Sequence, residues 1–335
     1  MTALGQHVED YLAIRRALGF KLRSERRMLA DFAAFMDTSG SSALTTDAAP
    51  RWATLPTAAG HAYLAQRMRA VRGFARYLRG IDSATEIPPL ELLPARRHRP
   101  TPHIYTEQEI SALMAAAGRL RPPLWAATIE TLIGLLACTG LRVSEAFALD
   151  RADIDPANRR LLIRDSKFGK SREVLIHDST LAALHAYLER RDELRPGGDP
   201  VCVFISSWGA RLTHNVVQRA FDQTRRAAGV TGSSPGRWPR PHDLRHTFAV
   251  DTLLGWYRAG EDVAAKLPLL STYLGHVDPA ATYWYLSAAP ELLGLAAERL
   301  ERRGDGPGAV DLAYLFPTGE RARRRRAASA RRAVR

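Results

Sequence analysis

A chain of 335 residues is longer than one hydrophobic core usually accommodates, so two domains are expected. Its 46% hydrophobic and 25% charged content is ordinary for a globular protein, no apolar run approaches the roughly 20 residues that span a bilayer, and two cysteines, Cys138 and Cys202, supply neither a disulfide framework nor a cysteine-rich metal site. The net charge of +13 points to a polyanionic partner, nucleic acid before an anionic membrane surface, although a genome rich in G and C inflates Arg and Ala in the same way.

The opening "MTALGQHVEDYLAIRRALGF" lacks a basic segment followed by an apolar one, so it does not read as a signal peptide and a cytoplasmic location is expected. "HVEDYLAIRRALG" and "SERRMLADFAAFM" carry apolar residues at three- and four-residue spacing and read as helices. "HAYLAQRMRAVRGFARYLRG" repeats the pattern, with Arg67, Arg69, Arg72, Arg76 and Arg79 expected on or beside the polar face. That face is either solvated or laid along a phosphate backbone. The sequence therefore divides first into a helical unit, residues 1–93. "IPPLELLPARRHRPTPH" then breaks helices with five prolines. Arg96, Arg97, His98 and Arg99 make residues 94–103 a basic linker.

The second unit, residues 104–303, opens with "TEQE" at Thr106–Glu109, the signature of a capping box. A long apolar helix, "WAATIETLIGLLACTG", ends at Gly140. "RRLLIRDSKFGKSREVLIH" reads as a hairpin with Lys167, Gly169 and Lys170 in its turn. Helices are expected near 179–194, 213–228, 243–257, 262–274 and 290–303, with a short strand "VCVFIS" between the first two. Residues 304–335 end in "GERARRRRAASARRAVR", whose charge and lack of apolar surface predict a disordered tail. The fold class is thus mainly α with a small β-hairpin.

Polar groups gather at helix starts and turns of this second unit. Arg142 follows a helix-ending glycine and neighbours Ser144 and Glu145. His242 and Arg245 are three apart, on one helical face, with His246 adjacent and His276, Tyr283 and Tyr285 further on. His242 and His246 have the four-residue spacing of a zinc-binding H-E-x-x-H pair. Here, however, the second position is the shorter Asp243, and Arg245 would set a cation beside the metal. No metal site is therefore expected.

Taken in order, "TGLRVSE", "SKFGKSREV", "HDLRHTFA" and "LGHVDPAATYWY" resemble the successive boxes of the tyrosine recombinase, phage integrase-like and Xer-like, family. The likeness spans nearly the whole chain. It implies a helical core-binding domain and a catalytic domain that clamp double-stranded DNA, the linker crossing the backbone. By resemblance, Arg142 and Arg245 hold the non-bridging oxygens of a phosphodiester, His242 and His276 donate further hydrogen bonds, and His242 accepts the nucleophile's proton. Lys167 resembles the lysine that protonates the leaving 5′-oxygen; the family spacing to the following R-x-V favours it over Lys170. Glu145 orients Arg142. The family's nucleophile lies nine residues after the last histidine, which selects Tyr285 and leaves Tyr283 and Trp284 to packing or DNA contact.

A phosphodiester transition state gathers negative charge that two fixed arginines can hold. The implied reaction is a pair of transesterifications through a 3′-phosphotyrosine, with no cofactor, metal or ATP. The resemblance further implies four protomers on two duplexes and a Holliday junction, and it admits a partner recombinase. It also implies a simple recombinase of the kind carried by a mobile element. Arg67, Arg69, Arg72, Arg76, Arg96, Arg97, Arg99 and Lys170 are the expected additional DNA contacts. Rival readings are a monomeric type IB topoisomerase-like enzyme and a DNA-binding protein without catalysis.

Overall fold

The computed structural model describes residues 2–20, 22–40, 43–89, 92, 101–165, 169–197, 201–232, 238–276, 282, 285, 292 and 294. The chain divides into two compact units, one of residues 1–100 with 165–170, the other of the remainder.

The first unit is helical. Thr2 caps α1 (Ala3–Ala17), its hydroxyl accepting from the Gly5 amide at 3.2 Å, which satisfies one of the orphan donors at a helix start. In α2 (Arg23–Thr38) the residues Met28, Leu29, Phe32, Ala33 and Met36 are buried, the three- and four-residue spacing of one helical face. The short α3 (Ala48–Thr54) supplies Trp52, and α4 (His61–Leu78) supplies Val71, Phe74, Ala75 and Leu78. Trp52 is fully buried, meets Phe32 edge-on at 5.1 Å, and donates its indole N–H to Asp31 at 3.0 Å. A ring so enclosed anchors the unit; truncating such a residue costs about 3–5 kcal/mol.

The second unit is also mostly helical. Thr106 and Glu109 form the expected capping box at α5 (Glu107–Ala117), with hydrogen bonds of 3.1 and 2.9 Å. Helix α6 (Pro123–Thr139) is apolar on nearly every face and buried accordingly. It ends at Gly140, in the left-handed region at φ 60°, and α7 (Val143–Ala146) follows at once. A three-stranded antiparallel sheet comes next: β1 (Ile154–Asp155), β2 (Arg160–Ile163) and β3 (Arg172–Leu175), in that order. Leu161 opposes Val174 and Ile163 opposes Arg172. Leu161, Ile163 and Val174 point into the core while alternate residues face out, the period of a half-buried sheet. Helices α8 (Asp178–Leu194), α9 (His214–Ala227), α10 (Pro241–Arg258) and α11 (Val263–Leu274) complete the described elements. Among the described residues no helix is long and apolar enough to cross a membrane.

Two expectations change. The hairpin of β2 and β3 gains the short β1, which pairs only Ile154 with Leu161 and Asp155 with Arg160. "VCVFIS" is buried from Cys202 to Ile205, but joins only isolated bridges, Asp150 with Cys202 and Ile205 with Arg211. The cause is the buried Arg191, whose Nη1 takes the Cys202 carbonyl and, at 3.0 Å, the Val203 carbonyl. The carbonyls that a ladder would use are thus spent on a side chain. The expected helix at 290–303 and the tail at 304–335 lie outside the described residues, apart from Leu292 and Gly294.

Gly140 occupies a position that no other residue fits. A Cβ there would stand 2.5 Å from a ring carbon of Phe248 and 3.1 Å from Leu274, in a conformation that already costs a non-glycine residue about 1–3 kcal/mol. Gly140→Ala is expected to destabilise the protein by at least about 2 kcal/mol, read as a lowered midpoint in urea unfolding; an unchanged midpoint would show that Phe248 yields freely.

Candidate active site

The turns that end α6 and α11 bring the charged groups of the second unit together. Gly275, at φ 68°, ends α11 as Gly140 ends α6, and the last carbonyls of a helix have no partner within it. Here arginines fill that role. Arg172 Nε donates to the Tyr273 carbonyl at 2.8 Å, Arg245 Nη2 to Leu274 at 2.6 Å, and Arg142 Nη2 to Gly275 at 3.0 Å. Three successive carbonyls thus hold three guanidiniums, from β3, α10 and the start of α7. Arg245 Nη1 also donates to the Gly140 carbonyl at 2.8 Å. Guanidiniums at helix C-termini are further favoured by the helix dipole.

Glu145 lies between two of these cations. Its Oε1 accepts from Arg142 Nη1 at 2.6 Å and Arg172 Nη1 at 3.0 Å; its Oε2 accepts from Arg172 Nη2 at 2.8 Å and the Arg142 amide at 3.0 Å. Burial alone would raise this carboxyl, but the hydrogen bonds and charges of Arg172 and Arg142 outweigh it and hold Glu145 at about 2. The carboxylate is therefore ionised throughout the physiological range.

Helix α10 presents His242, Arg245 and His246 in its first two turns. Asp243, which is buried, accepts from the Arg240 amide at 2.9 Å and from Arg240 Nη2 at 3.2 Å. This is why Asp stands inside the "HDLRH" stretch: it caps the helix. Among the described residues no group of three His, Cys, Asp or Glu is placed to hold a metal ion. Arg245 is almost fully enclosed. Burial lowers it to about 10, with the Arg142 charge acting in the same sense and a Tyr285 oxyanion opposing. His242 is lowered to about 4, by its packing first and by Arg245 second, with Asp243 opposing. The residue is itself exposed to solvent, so His242 is both neutral at pH 7 and accessible.

Tyr285 is 2% exposed. His246 meets its ring at 5.4 Å with an interplanar angle of 60°, and His276 stacks on it at 5.8 Å and 26°. His242 lies edge-on to His246 at 4.9 Å. His276 Nδ1 is 2.7 Å from the hydroxyl of Thr282, itself fully buried. Arg142, Glu145, His242, Arg245, His276 and Tyr285 are thereby gathered in one place. Lys167, Tyr283 and Trp284 lie outside the described residues, as do Arg96, Arg97 and Arg99.

The sequence of the second unit carries a family signature along this whole region: the sequence model of the phage integrase family matches residues 104–291. The chain belongs to that family, the tyrosine recombinases. It is 43% identical over 314 residues to a Sinorhizobium fredii protein named as an integrase/recombinase, y4rB, covering 90% of this chain and 98% of that one. With tyrosine recombinase XerD of Caulobacter vibrioides it shares 33% identity over 234 residues, 68% of this chain and 72% of the relative. Among solved structures, the Tn1549 transposon integrase, residues 82–397 with circular intermediate DNA, superposes with a TM-score of 0.62 at 19% identity. That match covers 90% of this chain and 100% of the other, a likeness of fold.

The recombinase structure adds two residues that the sequence boxes passed over as site residues. Arg172 is the second partner of Glu145, and His246 separates His242 from Tyr285. It also corrects one expectation. Arg67 is 5% exposed, with its guanidinium 3.6 Å over the Trp52 ring, 3.1 Å from Asp31 and donating to the Trp52 carbonyl at 2.9 Å. It is a core residue of the first unit and presents no face to a partner. Arg69 and Arg76 on α4 are exposed, as is Lys170, and Arg72 is half-buried.

Glu145 yields a test of the cluster. Its folded value lies below the 4.5 of an ordinary glutamate, so its contribution to stability is fully present above about pH 4.5 and lost as the pH falls toward 2. Removing one partner of a buried ion pair costs about 3–5 kcal/mol. Glu145→Gln is expected to lose about that much at pH 7 and to flatten the acid side of the stability curve. Equal stability of the two proteins in urea titrations from pH 3 to 7 would count against the cluster.

Proposed function

We propose that the protein is a site-specific DNA recombinase that cuts and rejoins DNA through a covalent 3′-phosphotyrosine at Tyr285. The observation that carries this reading is a buried tyrosine in ring contact with two histidines, beside a cluster of three arginines of which two share Glu145. Such a site has surplus positive charge and directed donors, the complement of a phosphodiester passing through its pentacoordinate state.

In this mechanism Arg142 and Arg245 take the non-bridging oxygens, each guanidinium already fixed by a helix-end carbonyl, so little orientation remains to be arranged when DNA enters. Glu145 fixes Arg142 through a short ion pair. The Tyr285 oxygen attacks phosphorus, and the bond from phosphorus to the 5′-oxygen breaks. His242, neutral at pH 7, accepts the tyrosine proton, because an ordinary phenol with a pKa near 10 is a poor nucleophile while protonated. Lys167 supplies a proton to the departing 5′-oxygen, and His276 donates a hydrogen bond to the phosphoryl group. A 5′-hydroxyl from a partner duplex then attacks the phosphotyrosine and releases Tyr285. One phosphodiester replaces another at each step, so neither ATP nor a metal is required by the energetics.

The two units close around double-stranded DNA, with Arg69, Arg72, Arg76, Arg96, Arg97, Arg99 and Lys170 contacting phosphates and making binding strongly salt-dependent. Four protomers on two duplexes, passing through a Holliday junction, complete the exchange.

Covalent trapping tests the assignment. Nicked duplexes from the DNA flanking the chain's own coding sequence are incubated with the protein without metal, and the adduct is mapped by peptide mass. The expected result is an adduct on Tyr285 that Tyr285→Phe abolishes while DNA binding is nearly intact. An adduct on Tyr283, or full cleavage by Tyr285→Phe, would remove Tyr285 from the role.

A further inference from the structure

We propose that His246 is the positioning residue for the nucleophile: it fixes the Tyr285 ring against His276 and couples that ring to His242. The inference rests on the recombinase reading above and deepens it by one residue.

His246 is 8% exposed. It follows His242 by one turn of α10, so the two rings project from the same face of the helix. Its neighbours on that helix, Leu244, Ala249, Val250 and Leu253, are buried apolar residues. A buried imidazole gives up solvation that an apolar ring would not. The ring contacts of His246 suggest what offsets that loss. Tyr285 has two imidazoles as ring neighbours, His246 at 5.4 Å and His276 at 5.8 Å. His246 is in turn the edge-on neighbour of His242 at 4.9 Å. The three imidazoles come from two elements: His242 and His246 from α10, and His276 from the turn after α11, where its Nδ1 meets the Thr282 hydroxyl at 2.7 Å. Tyr285 is thus in ring contact with imidazoles from two elements. One of those rings sits on the helix that carries Arg245 and His242, so the nucleophile is set by the element that holds the phosphate ligand and the base. His246 touches the tyrosine ring and acts on the reaction through it.

An apolar ring of similar size separates this role from packing. His246→Phe keeps the shape and removes the polar edge, and should fold with a melting temperature near that of the natural protein. His246→Gln restores a polar group of comparable reach. On nicked duplexes tiling the DNA that flanks the coding sequence, single-turnover adduct formation by the Phe variant is expected to fall on the order of 10²-fold, the loss typical of a misplaced reacting group. DNA binding should be unchanged, and the Gln variant should recover most of the rate. The cleaved duplex is then rebuilt with a bridging sulfur in place of the 5′-oxygen at the mapped position. A thiolate leaves without protonation, so that substitution should rescue Lys167→Ala and fail to rescue His246→Phe, which is defective on the nucleophile's side.

Adduct formation by His246→Phe at the natural rate would reduce His246 to packing and overturn the inference, as would rescue of that variant by sulfur. Both results leave the recombinase reading standing. If the unaltered protein forms no adduct on any tile, the recombinase reading itself falls and this inference falls with it; an adduct on another tyrosine overturns this inference and leaves the recombinase chemistry standing.

Discussion

The site depends on how one helix ends. At the last turn of α11 the carbonyls of Tyr273, Leu274 and Gly275 each accept a hydrogen bond from a different arginine, Arg172, Arg245 and Arg142. Terminal carbonyls need partners, and arginines have five donors in a rigid fork. The match satisfies the helix end and immobilises three guanidiniums at once. Gly275 makes the arrangement possible. Its left-handed φ turns the chain, and a Cβ on it would lie 2.8 Å from Arg172 Nη1. The same turn delivers His276 as the next residue.

Three cations in so small a volume repel one another, and Glu145 offsets two of them. It serves Arg142 and Arg172, whereas Arg245 donates to the Gly140 and Leu274 carbonyls. The depressed values of Arg245 and His242 share one cause: both sit beside further positive charge. A phosphate entering this space would relieve that repulsion. The electrostatics therefore favour an anion in the ground state, and more so a phosphoryl group whose negative charge grows along the reaction. His242 stays neutral for the same reason that Arg245 is destabilised, so the surplus charge that attracts DNA also preserves a proton acceptor.

Local chemistry was readable from the sequence, and long-range pairing was not. The capping box at Thr106 and Glu109, the stop at Gly140 and the hairpin of β2 and β3 depend on neighbours within a few residues, and each was recognised. Arg172 reads as an ordinary strand residue, because its partners Glu145 and Tyr273 lie 27 and 101 residues away. "VCVFIS" has the composition of a strand, yet Arg191 of α8 takes its carbonyls. The burial of Arg67 did leave a trace in the sequence. Arg67, Val71, Phe74 and Leu78 follow the four-, three-, four-residue steps of one helical stripe, and that stripe is the buried one. Arg69, two residues on, is turned by about 200° and faces out. Charge alone assigned both to the polar face; periodicity would have separated them.

The proposed nucleophile presents the opposite problem from the arginines. Guanidiniums need only be held, whereas a tyrosine must lose its proton, which for an ordinary phenol costs about 4 kcal/mol at neutral pH. Burial by itself makes that loss harder, because it penalises the charged form. A buried tyrosine in such a role needs a neighbouring cation, and Arg245 is one whose charge interacts with Tyr285 here. The imidazoles complement it by enclosing the ring, which excludes water as a competing nucleophile and limits the directions in which the oxygen can turn. The arrangement is economical in elements: α10 contributes Arg245, His242 and the His246 ring beside Tyr285, and the end of α11 contributes the carbonyl anchors and the His276 ring. Any shift of α10 relative to α11 would disturb all of these together, so the packing of Leu253, Leu267, Leu270 and Leu274 between them is as much a condition of the chemistry as the polar groups it aligns.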